Sequence, residues 1–351
     1  MKNYTLTSTA GLGEVLQTPF DVFITSASYE PRCFSVARNL PSNRYSIALV
    51  AGNRNHRDYI GPNWDSLCRT LRGQIVMVEQ DTNNPIVGAD SFARAFETIR
   101  AQAGLSLLID ITTFTREALV VLLGLLRQVV GPAGRVVCAY NSAKSYGRET
   151  GPIWLSRGVR EIRSILGFPG DVSPARRNHL IVVFGYEVER AAGLIAAYEP
   201  NVLSIGVPSE EESLSRQVFE TQQLFLKQLQ LLYPSEKLRL FEASAKDPVV
   251  TKEAVVRQMN EYAGLNTILA PFNTKPSVVG ACLAALEHPE IQMCYAQPTA
   301  YNTLSYAVPS DDIYLFELQI GTNAVTAAIG KSLPVSPGTY IQRSVRPDEA
   351  M

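Results

Sequence analysis

Apolar runs of strand length alternate with helical patterns along nearly the whole chain. That alternation is the pattern of βα units around a parallel sheet. In the first half it predicts strands near residues 20–25, 45–52, 74–80, 105–112 and 134–141, with helices near 29–40, 63–72, 87–102 and 115–130. Over 87–102, Phe92, Phe96 and Ile99 recur at helical spacing beside Arg94, Glu97 and Arg100, so one stripe of that helix faces a sheet. In the second half, strands are expected near 179–185, 201–207, 237–243, 266–272 and 291–297, with an extra strand at 312–318. Helices are expected near 187–198, 211–233, 250–263 and 275–288. Strands such as Leu180-Ile181-Val182-Val183-Phe184 are continuously apolar, as required when helices cover both faces.

The two halves repeat one another. Val22-Phe23-Ile24-Thr25 leads into Ser26-Ala27-Ser28-Tyr29-Glu30-Pro31-Arg32, and Ile181-Val182-Val183-Phe184 leads into Gly185-Tyr186-Glu187. The paired tyrosines are 186 − 29 = 157 residues apart. Leu107 to Thr112 with its following helix matches Thr267 to Phe272 with a helix from Lys275, and Val136 to Tyr140 matches Ile291 to Tyr295, at nearly the same offset. A period kept at three elements predicts a duplicated unit. The expected fold is therefore α/β, two tandem Rossmann-like parallel-sheet units forming an internal pseudo-dimer. The expected division is an N-terminal extension (1–20), a first unit (21–150), a linker with a short helix at about 157–166 (151–177), a second unit (178–320) and a C-terminal tail (321–351) whose last ten or so residues are expected to be poorly ordered.

Composition narrows the classes. A length of 351 residues and 46% hydrophobic content suit two domains with a core each. A net charge of −1 argues against a general nucleic-acid coat or a polybasic membrane anchor, and no apolar run reaches a membrane span. The start of the chain has no apolar leader, and Cys33, Cys68, Cys138, Cys282 and Cys294 are scattered without C-x-x-C spacing, so a cytoplasmic, reduced protein is expected. His56, His179 and His288 lack metal-ligand spacing, and neither a P-loop, a G-x-G-x-x-G nor a G-x-S-x-G turn is present. No metal and no cofactor is expected. The leucine-rich segment Leu224 to Leu232 reads as core or inter-unit packing.

Ligands of open α/β sheets bind at the carboxyl ends of the strands. That rule gathers Ser26, Ser28, Tyr29, Glu30 and Arg32 after the first strand, then Asn53 to His56 and Asp81 to Asn84. Asp110, Thr112, Thr113, Thr115 and Arg116 follow the fourth strand, and Tyr140 ends the fifth. The second half contributes Gly185, Tyr186, Glu187, Ser209, Asn273, Thr274, Lys275, Gln297, Thr299 and Tyr301. The turns 110–116 and 272–276 place hydroxyls and a cation at a helix start, which favours a phosphate. Ordinary helix capping explains the same threonines. The two Tyr-Glu pairs would stack on a base and accept from its edge or from a ribose; equally, the glutamates complement a helix dipole and the tyrosines pack between units.

Asp110-Ile111-Thr112 followed by Arg116 resembles the D-I-T-x-x-x-R turn of CARF domains, the CRISPR-associated Rossmann fold, and Asn273-Thr274-Lys275 loosely resembles the related N-x-T-x-x-K form. CARF domains bind cyclic oligoadenylates across a two-fold interface, and the fused double CARF called SAVED senses cyclic nucleotides in bacterial antiviral systems. The resemblance implies a sensor or accessory protein of prokaryotic antiviral defence, holding a nucleotide or other phosphorylated small ligand between its units. It implies a separately encoded effector protein as partner and leaves a homodimer open. Two other classes stay open: a metal-independent phosphodiesterase resembling a ring nuclease, and a protein-interaction scaffold of a defence complex.

Overall fold

The computed structural model describes residues 2–53, 57–99, 104–130, 134–147, 153–233, 238–304 and 306–318. Arg54 to His56 and the tail beyond 318 lie outside the described residues, and with them the expectations for that loop and for the chain's last residues. The strands are β1 (Thr5–Ser8), β2 (Phe20–Ser26), β3 (Tyr45–Asn53), β4 (Gln74–Gln80), β5 (Ser106–Asp110), β6 (Arg135–Tyr146), β7 (Ser156–Arg157), β8 (Glu161–Ser164), β9 (Asn178–Val183), β10 (Val202–Val207), β11 (Leu238–Glu242), β12 (Asn266–Pro271), β13 (Gln292–Gln297), β14 (Ala300–Tyr301) and β15 (Ala307–Leu318). The α-helices are α1 (Leu12–Val15), α2 (Ser35–Asn39), α3 (Arg57–Thr70), α4 (Pro85–Ile99), α5 (Arg116–Val129), α6 (Val188–Tyr198), α7 (Arg216–Leu232), α8 (Pro248–Glu261) and α9 (Lys275–Glu287).

Two parallel-rich sheets result. The first runs β4-β3-β2-β5-β6 in parallel and is closed by antiparallel β15 and then β1. The second runs β11-β10-β9-β12-β13 in parallel and is closed by antiparallel β8. In each, the chain moves outward from the first strand and then crosses back to its other side, which is the Rossmann-like order with a switch point beside the first strand. The switch points lie between β2 and β5 and between β9 and β12. The strands flanking them are buried, β12 at every position.

Three elements depart from the expectations. The join at 151–177 carries β7 and β8, not a short helix; Glu161-Ile162-Arg163-Ser164 is too brief and polar for its alternation to show, and pairing with β13 settles its conformation. The strand at 312–318 begins earlier, at Ala307, and joins the first sheet, against β6 and β1, not the second unit. Its alternation decides this: Ile313 and Leu315 enter one apolar cluster, and Tyr314, Phe316 and Leu318 another. In α7, Val218, Leu226 and Leu229 are buried, but Leu224, Leu231 and Leu232 are 60%, 87% and 59% exposed, so only part of the leucine-rich segment packs.

One apolar cluster spans both sheets, and each sheet also keeps a cluster of its own. Leu119, Leu122, Leu123 and Leu126 of α5 and Val278, Ala281, Cys282 and Ala285 of α9 belong to the same cluster. Small residues let α9 sit deep: a methyl at Gly280 would lie 2.3 Å from the Pro248 carbonyl oxygen of α8. Arg127 of α5 donates to the carbonyl of Leu286 in α9 at 3.3 Å. Residues Met1–Gly321 accordingly cluster as one compact unit. The packing turns the carboxyl ends of β2 and β5 and those of β9 and β12 toward a common polar region.

Candidate functional site

Four short turns build this region, those after β2, β5, β9 and β12. After β2, Glu30 is buried and accepts from Arg32 Nε at 2.9 Å and Nη2 at 2.5 Å, while Arg32 Nη1 donates to the Asn141 carbonyl at 3.2 Å. After β9, Glu187 does the equivalent with Arg190, whose Nη1 lies 2.6 Å from Glu187 Oε1 and whose Nε donates to the Ala296 carbonyl at 2.6 Å. The carbonyls correspond, one in β6 and one in β13, the fifth parallel strand of each sheet. Gly185 lets β9 approach the next turn, since a Cβ there would stand 2.5 Å from the Phe272 carbonyl oxygen.

The turns ahead of α5 and α9 are tied internally. Buried Asp110 accepts from the Thr112 N–H at 3.1 Å and from Thr25 Oγ1 at 3.4 Å, and burial pushes its carboxyl up to about 6. Thr112 is fully buried and its hydroxyl accepts from the Asn141 N–H at 3.0 Å. Thr113 donates to the Ser26 carbonyl at 2.7 Å, and Thr115 caps α5 by accepting from the Ala118 N–H at 3.2 Å. Thr274 is bonded to the Ala245 carbonyl and, at 2.9 Å, to Ser277 Oγ. Asp110 and Thr112 therefore tie the turn together, and each of these threonine hydroxyls meets at least one protein group.

Charged groups also pair across the halves. Arg116 Nη1 lies 2.6 Å from Glu187 Oε2, an ion pair off the line of a good hydrogen bond, and Arg116 Nε donates to the Asn273 carbonyl at 3.0 Å. Glu187 also accepts from Ser156 Oγ at 2.6 Å. The guanidiniums of Arg116 and Arg190 outweigh burial and hold its carboxyl down at about 2. Glu187 is thus engaged by Arg190 and Ser156 through Oε1 and by the Arg116 ion pair through Oε2. Gln297 is likewise engaged, donating to Asn83 Oδ1 at 2.9 Å and accepting from Arg163 Nη1 at 3.1 Å.

Lys275 differs. It is half-buried, and no hydrogen bond or ion pair joins its ammonium to the described residues. Burial first, then the cations Arg116 and Arg32, bring its amine down to about 7, against the opposing pull of Glu30 and Glu187. Lys275, Arg116, Arg32 and Arg190 make four cationic groups against the two carboxylates Glu30 and Glu187, with Asp110 a third behind the turn. The region carries excess positive charge.

Two pockets open here. The first, about 630 Å³ and open to solvent, is bounded by Ser26, Ser28, Tyr29, Gln80 and the turn 113–116, with Tyr295 and Tyr301 contributed by the other half. The second, about 450 Å³, is bounded by Gly185, Tyr186, Gln222 and the turn 272–275, with Arg32, Tyr140 and Tyr146 from the first half. Arg116, Lys275 and Tyr306 line both. Tyr29 packs edge-on against Tyr306 at 5.9 Å. Tyr186 packs on Tyr146 at 5.2 Å and on Phe225 at 5.3 Å and donates to the Val218 carbonyl at 3.1 Å.

Tyr146 and Tyr295 line the pockets and escaped the sequence reading, although Tyr140 and Tyr301, which they meet, did not. The Tyr140 and Tyr146 hydroxyls meet at 3.4 Å, and those of Tyr295 and Tyr301 at 3.0 Å. Both pairs are six apart and 155 residues from their counterparts (295 − 140 and 301 − 146), a spacing visible in the sequence. Gln80 and Tyr306 had no such signal. Among the described residues no group of His, Cys, Asp or Glu forms a metal cluster, and no helix is long and apolar enough to cross a membrane.

No protein-family model and no curated protein matches the chain. Solved structures similar to it include the pyocyanin biosynthetic protein PhzM (14% identity, TM-score 0.23, 40% of this chain and 37% of that one). An S-adenosylmethionine-dependent methyltransferase from Clostridium acetobutylicum shares 10% identity at a TM-score of 0.20, over 37% of this chain and 46% of that one. The cytoplasmic domain of a prokaryotic cation chloride cotransporter shares 8% identity at a TM-score of 0.23, over 81% and 98%. The chain spans less than half the length of the first two. None of the three likenesses bears on a ligand or an activity.

Proposed function

We propose that the protein is an internal pseudo-dimer, two copies of one Rossmann-like unit, that binds a nucleotide or other phosphorylated small ligand in the cleft where the strand tips of both sheets meet. The matching strand orders and the paired tyrosines support the duplication. The observation that carries the ligand class is the excess of positive charge around the half-buried, unpaired ammonium of Lys275, beside a helix start and aromatic walls. Such surroundings favour a phosphate with an attached ring system. A role as a sensor or accessory protein in prokaryotic antiviral defence, working with a separately encoded effector, rests on the resemblance of turn 110–116 alone.

Thermal denaturation with a panel of mono-, di- and triphosphate nucleotides and cyclic oligonucleotides tests this reading. A member present at a hundredfold excess over its Kd stabilises the fold by about 2.7 kcal/mol and raises the Tm visibly. Resolving the ligand afterwards separates a sensor, which returns it intact, from a phosphodiesterase. A Tm unmoved by every member, with no retention in equilibrium dialysis, overturns the proposal.

A further inference from the structure

We propose that the cleft is one-sided: only the first pocket takes the ligand, a purine mononucleotide such as adenosine 5′-monophosphate, its phosphate held between the start of α5 and Lys275 reaching across from the other half. This rests on the phosphorylated-ligand reading above and narrows it to one site, one ligand class and one cation.

The cations decide which charge is available. Arg32 is taken up by Glu30 and the Asn141 carbonyl, Arg190 by Glu187 and the Ala296 carbonyl, and Arg116 by Glu187 and the Asn273 carbonyl. Of the four, Lys275 alone has neither hydrogen bond nor ion pair with the described residues. Its environment, which lowers the amine toward 7, is relieved by a bound dianion.

The two helix starts are unequal. A helix leaves its first N–H groups without partners. In α5 those include Arg116 and Glu117, and the residues leading in line the first pocket. The Glu117 carboxylate, which would oppose an anion there, is held away by Arg163 at 2.8 Å. In α9 the second residue is Pro276, which has no N–H to offer.

The pocket walls differ in the same sense. In the first pocket Gln80 is 6% exposed and its Nε2 has no partner. A buried amide left unbonded in a pocket marks a place for a ligand atom, and a carboxamide offers a donor and an acceptor that complement the amino and ring-nitrogen edge of adenine. Tyr29 stands beside it as an aromatic wall. In the second pocket the Tyr186 hydroxyl is bonded to the Val218 carbonyl, and Gln222 Nε2 donates to the Phe184 carbonyl at 2.5 Å. Asn273 Nδ2 is unpartnered there, but its Oδ1 already accepts from the Thr274 N–H at 2.9 Å, so it does not offer a free donor and acceptor together.

Isothermal titration of the full chain with adenosine 5′-monophosphate, and separately with inorganic phosphate, tests the assignment. One mononucleotide binds per chain. Lys275→Gln weakens both ligands by about tenfold or more, as expected for the loss of a charge-assisted hydrogen bond. Gln80→Leu weakens the nucleotide and leaves phosphate unchanged, and it stands as an independent arm if Lys275→Gln does not fold. Tyr146→Phe, in the second pocket, changes neither. Two molecules per chain, or a Tyr146→Phe loss with both first-pocket variants unaffected, overturns the one-sided site while the phosphorylated-ligand reading stands. Binding of other panel nucleotides but not of this one has the same consequence, and no binding by any of them overturns both.

Discussion

Glu187→Gln is the most direct test of how the two halves are held together. The wild-type carboxylate is 2% exposed and sits 2.6 Å from both Arg116 and Arg190, themselves 11% and 1% exposed, so little water screens the cluster. Its carboxyl falls from 4.5 to about 2 despite the opposing effect of burial. A shift of about 2.5 units corresponds to roughly 3 kcal/mol favouring the ionised form in the folded state. Leaving two buried guanidiniums without their counter-charge costs about 3–5 kcal/mol by the general behaviour of such pairs, so the two routes agree. Because the folded pKa is depressed, the contribution is present above pH 4.5 and is lost as pH falls toward 2. Urea unfolding at pH 7 is expected to show Glu187→Gln less stable by about 3 kcal/mol, with the gap closing in acid. The partly exposed pair Arg135–Glu317 is the control; Glu317→Gln there changes stability by about 1 kcal/mol or less. A Glu187→Gln loss no larger than the control's, or one of equal size at pH 7 and pH 3, refutes the reasoning.

Three further outcomes follow from the same geometry. Asp110 has its pKa raised from 3.8 to about 6, so the folded state binds more protons between those values and stability declines as pH rises through that window. Asp110→Asn, which keeps an acceptor for the Thr112 N–H, gains up to roughly 3 kcal/mol above pH 6 and nothing below pH 4, read by urea melts at pH 4 and pH 8. With the Lys275 amine near 7 in the free protein, affinity for a phosphate monoester falls by up to about tenfold per pH unit above that value, while the titration of Lys275→Gln is flat there. Gly280→Ala places a methyl 2.3 Å from the Pro248 carbonyl oxygen and 2.8 Å from Thr251 Cβ, where backbone cannot yield; it lowers stability by about 1–3 kcal/mol, seen as a lower Tm.

The central parallel strands β2, β5, β9 and β12 were legible as apolar blocks, and α4 because its apolar stripe faces a sheet. The strands that close the sheets were not. The four residues of β8 contain one apolar side chain, and nothing local distinguishes them from a loop until β13 supplies hydrogen bonds. The pattern of β15 announces a strand buried on both faces, but it does not say which sheet, and the open edge of β6 decides that. A core for each unit was expected from length, and each sheet has a cluster of its own; the further cluster that joins them at α5 and α9 depends on the small residues of α9, whose close packing no linear pattern specifies.

The site was legible as a set of residues and illegible as a set of partnerships. Position at a strand tip selected Arg116, Glu187, Asn273, Thr274 and Lys275 correctly as neighbours, since topology alone brings tips together. Which of them remains available to a ligand depends on bonds between residues far apart in sequence. Arg116 finds Glu187 across 71 positions (187 − 116), and Thr113 is closed onto the Ser26 carbonyl. Once those bonds are assigned, the two turns that look equivalent in sequence separate: the arginine at the start of α5 becomes a tie between halves, and the lysine at the start of α9 is left without such a tie where both pockets can reach it. The two pockets share Arg116, Lys275 and Tyr306, and a single unmatched ion pair is enough to set the two turns apart. The divergence of Arg116 from Lys275 is therefore where the chemistry of this cleft is decided.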